Sequence, residues 1–112
     1  MPTKDLRGWI AELERAGEVT TVKGANTTEE IGRIVDIYMR KMGQPAVLFD
    51  EIPGYPKGHR VLANILTSIP RCAIALGQPA KTTDRALIQW WRKYMGDKPS
   101  IPPRQVNGGP LL

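Results

Sequence analysis

Apolar positions recur at helical spacing in four stretches of the chain and form short unbroken or β-branched runs in three others. Leu6, Trp9, Ile10 and Leu13 fall at i, i+3, i+4 and i+7, the spacing of one buried helix face. Asp5 stands where an N-cap belongs, and Gly17 where a left-handed residue closes a helix. Residues 18–23, Glu-Val-Thr-Thr-Val-Lys, are rich in β-branched side chains and predict a short strand. Thr27 with Glu30 fits a capping box. Ile31, Ile34, Val35, Tyr38 and Met42 then keep one face of a second helix apolar, with Gly43 as its stop.

Gln44-Pro45 forces extended backbone, and Ala46-Val47-Leu48-Phe49 follows without a polar interruption. A run that short and continuous predicts a strand covered on both faces. Residues 50–59 hold Pro53, Gly54, Pro56 and Gly58 and read as a turn-rich loop. Arg60 to Leu66 reads as a third strand. Ser68 caps a short helix with Pro70 in its first turn, running to Gly77. A last helix spans Thr83 to Met95, with Leu87, Trp90, Trp91 and Tyr94 on one face and Gly96 as its stop. The order α-β-α-β-β-α-α predicts an α/β (α+β) fold: a small mixed sheet of about three strands flanked by four helices.

The 112 residues suffice for one compact domain. From Asp97 the composition changes. Lys98-Pro99-Ser100-Ile101-Pro102-Pro103 predicts extended or polyproline-like chain, and Asn107-Gly108-Gly109 a tight turn or an anion nest. We therefore divide the chain into a domain over residues 1–96 and a Pro/Gly-rich linker over residues 97–112. The two leucines at the carboxy end read as a segment meant to continue.

The net charge is +5, and most of the excess sits at Lys81, Arg85, Arg92, Lys93, Lys98 and Arg104, opposed only by Asp84 and Asp97. This stretch reads as a solvated face or as a surface covering another domain. Nucleic-acid stacking needs aromatics interleaved with basic residues on an exposed sheet, and that pattern is absent, so no nucleic-acid partner is expected. A lone Cys72 excludes an internal disulfide and a cysteine metal cluster, and within Cys72-Ala73-Ile74-Ala75-Leu76 it reads as a small buried apolar residue. The start Met-Pro-Thr-Lys-Asp has no apolar leader, and no apolar run is long enough to span a bilayer. A cytoplasmic protein without a membrane partner is expected.

Candidate chemistry is sparse. His59 stands in a glycine-proline loop with no evident partner for acid–base work, and reads as a solvated residue. Asp50 and Glu51 follow a strand, where sites do occur, but neighbours on extended chain point apart, so they read as a polar strand exit. Pro56 interrupts the glycines at 54 and 58 and removes a donor that a phosphate cradle would use. Trp90 and Trp91 fit the helix face beside Leu87 and Tyr94, and read as core packing or a domain interface. No catalytic, cofactor-binding or metal-ligating residue is assigned.

Four segments in order resemble the opening of the UbiD family of prenylated-FMN-dependent decarboxylases. Asp5-Leu6-Arg7-Gly8-Trp9-Ile10, with Leu13-Glu14 and Gly17-Glu18-Val19, is similar to the family's start. Glu30-Ile31 with Ile34 is similar to its next helix. Pro45 to Phe49, then Ile52, Gly54 and Tyr55, is similar to its strand and loop. Asn64-Ile65-Leu66-Thr67-Ser68, then Arg71, Ala73 and Ala75-Leu76-Gly77, is similar to its NLFGS segment. The tail ending Asn107-Gly108-Gly109-Pro110 resembles the linker before the family's central domain. The chain departs from the pattern at Gln44 and Thr67, each in place of Gly, and at Asp50-Glu51 in place of Glu-Asn.

The resemblance implies the amino-terminal structural domain or subunit of a carboxy-lyase. A complete member would decarboxylate an aromatic, heteroaromatic or α,β-unsaturated acid reversibly and non-oxidatively. Its prenylated FMN, with a divalent metal and in some cases potassium, would sit in a central domain whose Arg and two Glu carry the acid–base chemistry. That domain, a carboxylic acid substrate and a second copy in a homo-oligomer are the implied partners, and this chain alone is expected to be inactive and to hold no cofactor. Two other readings stay open: a free-standing accessory or binding protein, and a small hydrolase or transferase using His59 and Asp50.

Overall fold

A computed structural model describes residues 5–111; the readings placed on residues 1–4 and on Leu112 lie outside them. The elements are α1 (Leu6–Arg15), β1 (Val19–Lys23), α2 (Glu30–Met39), β2 (Ala46–Asp50), β3 (Val61–Ala63), α3 (Ile69–Ala75) and α4 (Asp84–Asp97). The order and the α+β class are those predicted. The sheet runs β1-β2-β3, with β1 parallel to β2 and β3 antiparallel to it.

Strand β2 is central and buried along its first four residues. Successive side chains on a strand point to opposite faces, and each face has its own cover. Val47 and Phe49 pack with Ala25 and Ile52 under Ile31, Ile34, Val35 and Tyr38 of α2. Ala46 packs with Trp9 and Leu13 of α1, against Val19, Leu62 and Ile74 of α3. The unbroken apolar run of β2 is thus required by helices on both sides.

Helices α1 and α3 start and stop with matched chemistry. Asp5 Oδ1 accepts from Gly8 N at 2.8 Å, and Ser68 Oγ accepts from Arg71 N at 3.3 Å. Each ends in a six-residue closing motif. Glu18 N donates to Leu13 O at 2.8 Å and Gly17 N to Glu14 O at 3.2 Å, while Gln78 N donates to Ala73 O at 2.8 Å and Gly77 N to Ile74 O at 3.0 Å. That geometry needs a left-handed residue, supplied by Gly17 (φ 69°) and Gly77 (φ 71°).

Five local expectations are corrected. The N-terminal box of α2 is built on Asn26 instead of Thr27: Asn26 Oδ1 accepts from Glu29 N and Glu30 N at 3.0 and 3.2 Å, and Glu30 Oε2 accepts from Asn26 N at 2.9 Å. Residues 27–29 form a turn, so the capping side chain must come from one residue earlier. Helix α2 ends at Met39, and Met42 is 97% exposed in the turn before Gly43, outside the face that its spacing predicts. Strand β3 stops at Ala63 because Asn64 takes a left-handed φ of 59°, which breaks the pleat. Cys72 is half-buried, its Sγ 3.4 Å from Leu66 O, where full burial was expected; Arg71 and Ala73 take the buried positions of α3. Helix α4 runs through Gly96 to Asp97 and stops at Lys98, extended as a residue before proline must be.

Helix α4 joins neither core cluster. The radius of gyration, 17.8 Å, exceeds the roughly 13 Å of a compact domain of this size, consistent with α4 and the tail projecting from the body.

These placements predict opposite outcomes for two apolar truncations. Phe49→Ala empties the centre of the sheet and should lower the unfolding free energy by about 3–5 kcal/mol. Met42→Ala should stay within about 0.5 kcal/mol of the parent. Urea unfolding followed by far-UV circular dichroism measures both.

Candidate functional site

The densest polar constellation is built around Arg71. Its side chain is entirely buried, 0% exposed, a position a guanidinium occupies only when hydrogen bonds offset its lost hydration. Arg71 Nη1 donates to Glu18 Oε2 at 2.8 Å and to Gln44 O at 3.0 Å, and Nη2 donates to Thr67 Oγ1 at 2.7 Å. Ser68 Oγ donates to the same Glu18 oxygen at 3.3 Å. Arg71 Nε is buried without a protein partner.

The closing motif of α1 sets Glu18 at the mouth of β1, the turn after α2 sets Gln44 before β2, and the first turn of α3 supplies Ser68 and Arg71. Residues 27 to 53 positions apart in sequence thus meet on one cation. The network explains the two departures at Gln44 and Thr67. Gln44 contributes only its backbone carbonyl, which any residue there would offer. Thr67 contributes a hydroxyl that glycine lacks, giving Nη2 its acceptor. Apart from Arg71 Nε, these groups satisfy one another within the protein, so the constellation is a structural hub.

The residues considered for chemistry do not converge on one another. Asp50 Oδ1 accepts from Glu51 N at 2.8 Å, and Glu51 turns away at φ 49° to meet Lys23 at 3.4 Å. His59 Nδ1 lies 3.2 Å from Pro56 O on an exposed loop. Among the described residues no group of three His, Cys, Asp or Glu could hold a metal ion, and Asn107 marks a bend in exposed chain. The Arg40 guanidinium, 2.8 Å from Asp36, is pushed further above its ordinary range by that hydrogen bond and charge; both side chains are exposed.

The other feature is the outer face of α4. Trp90 stacks on Tyr94 with ring centroids 4.9 Å apart, Trp91 lies 6.0 Å from the same ring, and Lys98 Nζ sits 4.8 Å from its centroid. Leu87 is buried and Trp90 half-buried, but Ile88, Trp91, Tyr94 and Met95 are 40–60% exposed. Ile101, Val106 and Leu111 of the tail are exposed as well. None of the ion pairs among the described residues uses the basic residues of this stretch. The described residues leave this apolar, aromatic and basic face uncovered. Among the described residues no helix is long and apolar enough to cross a membrane.

The described residues thus form an α+β body with a buried polar hub and an exposed aromatic helix face. Solved structures contain the same arrangement. The vanillic acid decarboxylase of Sedimentibacter hydroxybenzoicus matches in its open form with a TM-score of 0.80 and 28% identity, over 92% of this chain and 22% of that one. Its closed form matches with a TM-score of 0.80 and 28% identity, over 96% and 22%. The open form with a truncated ShVdcD matches at 0.72 and 29%, over 84% and 21%. This chain therefore spans about a fifth of the length of the solved chains it matches. The sequence model of the UbiD family's 3-octaprenyl-4-hydroxybenzoate carboxy-lyase N-terminal domain matches residues 10–91. The chain belongs to that family of N-terminal domains, as its resemblance implied.

The hub was legible only in part. Glu18, Ser68 and Arg71 stand among the residues that carry the resemblance, yet neither periodicity nor spacing distinguishes a buried arginine from an exposed one. Replacing Arg71 with alanine should cost about 3–5 kcal/mol, since it leaves Glu18 desolvated and unpaired. Thr67→Gly should cost about 1–3 kcal/mol by orphaning Nη2. Chemical denaturation of both variants and of their double mutant measures the coupling, expected above about 0.5 kcal/mol.

Proposed function

We propose that this chain is the amino-terminal structural module of a UbiD-like carboxy-lyase. The complete enzyme would remove CO₂, reversibly and without oxidation, from an aromatic, heteroaromatic or α,β-unsaturated acid. The observation that carries the reading is the exposed face of α4 and the apolar tail beyond it, in a chain that spans about a fifth of its decarboxylase neighbours. A core already closed by α1, α2 and α3 leaves this face for a surface outside the described residues.

In this reading the residues 1–96 form the domain and the residues from 97 lead toward the catalytic part. The prenylated FMN and its metal sit there, and the flavin, when bound, supplies the electron sink for loss of CO₂. Residues of this chain contribute no proton and no ligand. They hold one wall of the assembly through Trp90, Trp91 and Tyr94, and Arg85, Arg92 and Lys93 favour an acidic rim on the opposing surface. The equal TM-scores to the open and closed decarboxylase structures support a module that keeps its shape while its surroundings rearrange. The whole enzyme is proposed to be a cytoplasmic homo-oligomer acting on a small carboxylic acid.

Purified alone, the 112-residue chain should retain no coloured cofactor and release no CO₂ from vanillate or 4-hydroxybenzoate. Co-expressed with a central UbiD domain, it should co-purify. Trp91→Glu combined with Tyr94→Ala should weaken that association by about 30-fold or more, as loss of a 2 kcal/mol interface anchor implies, while leaving the unfolding midpoint of the isolated chain unchanged. Decarboxylation by the isolated chain, or association indifferent to the double substitution, overturns the proposal.

A further inference from the structure

The two edges of the sheet are not alike. Strand β3 forms one of them and is blunted: it is three residues long, and the left-handed φ of 59° at Asn64 ends its pleat. Strand β1 forms the other. It is five residues long, Val-Thr-Thr-Val-Lys, with no proline, no glycine and a charge only at its last position. Its register against β2 is unbroken from Val19 opposite Ala46 to Lys23 opposite Asp50, so no bulge bends it away. An edge of this kind is a template for a further strand.

The hydrogen bonds at the two ends of β1 fix which way its backbone groups point. Ala46 N donates to Glu18 O at 2.9 Å, and Gly24 N donates to Asp50 O at 3.2 Å. Backbone groups alternate in direction along a strand, so residues 18, 20, 22 and 24 face β2. Val19, Thr21 and Lys23 therefore turn their N–H and C=O groups outward. Among the described residues β1 has no second neighbour to receive them, and the side chains of Thr21 and Lys23 are exposed.

These three residues are spaced evenly about Thr21. A second copy laid antiparallel across a two-fold axis at Thr21 matches outward residue to outward residue: Thr21 to Thr21, Val19 to Lys23 and Lys23 to Val19. Each such pair exchanges two hydrogen bonds, so every outward group of both strands is used. The side chains agree with this register. Thr20 falls opposite Val22, both β-branched, and the two Thr21 hydroxyls meet. No like charges stand opposite one another. Val19 lies on the α1 side of the sheet and Val22 on the α2 side, and opposed residues of an antiparallel pair share a face. The helix layers of the two copies therefore continue on their own sides of the joined sheet. A foreign strand would have to reproduce this match, whereas a second copy of the chain carries it by symmetry.

We propose that β1 is the contact edge of a two-fold dimer of this chain, joining two sheets into one continuous sheet. The proposal uses none of the α4 face and does not rest on the decarboxylase reading. Pairing two short strands lies at the low end of interface sizes, so the expected dissociation constant is about 0.1–1 mM. The test is sedimentation equilibrium of the 112-residue chain across that range of concentration, with residue-resolved amide exchange at both ends of it. The average mass should climb toward that of two chains. Exchange at Val19, Thr21 and Lys23 should slow as concentration rises, while Thr20 and Val22, bonded to β2 in either state, should not change. Thr21→Pro removes an outward donor without touching the ladder to β2, and should weaken association about tenfold or more at unchanged circular dichroism. Thr21→Lys and Thr21→Glu, at an exposed side chain, keep the test open if the proline variant does not fold. Each places like charges across the axis and should weaken self-association, and their equimolar mixture should associate more tightly than either variant alone. A chain that stays monomeric throughout overturns the proposal. So does association indifferent to these substitutions, a mixture no tighter than its components, or exchange that slows at residues 85–104 instead of at β1.

Discussion

A guanidinium withdrawn completely from water organises this domain. Burying Arg71 is tolerable only if its donors find acceptors in the right directions, and those acceptors come from three separate parts of the chain: Glu18 before β1, Gln44 before β2 and Thr67 before α3. Each of these points is the entry to an element. The cation therefore sets where β1 and β2 begin relative to one another, and a strand that slipped by one residue would turn every side chain to the wrong face. An apolar residue of similar length would fill the space without requiring those three entries to meet. The hub's contribution is geometric, and its chemistry is spent inside the fold.

With the strand starts pinned, packing on the sheet follows. Val47 and Phe49 go to α2, Ala46 to α1 and α3. A sheet of three strands, one of them only three residues long, has no further face to cover. Helix α4 is left with one buried leucine and a stacked set of aromatics at the surface. The exposed face of α4 is thus a consequence of a small core already filled, and it connects the fold to the role proposed for the chain.

The same economy explains why the family relationship and the reaction are separable here. The span that the family model matches, residues 10–91, holds the hub and all of both core clusters except Trp9, residues that maintain shape. His59 and Asp50 bond within their own loops, and Glu51 pairs with Lys23 at the end of β1. The solved decarboxylase chains are about four times as long as this one, and the shared part covers 22% of each.

Local order was readable from the residues alone wherever it depended on neighbours in sequence. Asp5, Ser68, Gly17 and Gly77 cap their helices as side-chain chemistry dictates, because a cap is satisfied within six residues. The unbroken run at 46–49 announced a strand buried on both faces. Where two local solutions compete, spacing misled: Met42 keeps the helical register of α2 but lies beyond its end, and Asn26 displaces Thr27 as the cap. The burial of Arg71 and the unpartnered face of α4 belong to the tertiary structure. Each depends on groups brought together from dozens of residues away, and no local period records whether a guanidinium will meet a carboxylate or whether a helix will find an uncovered sheet.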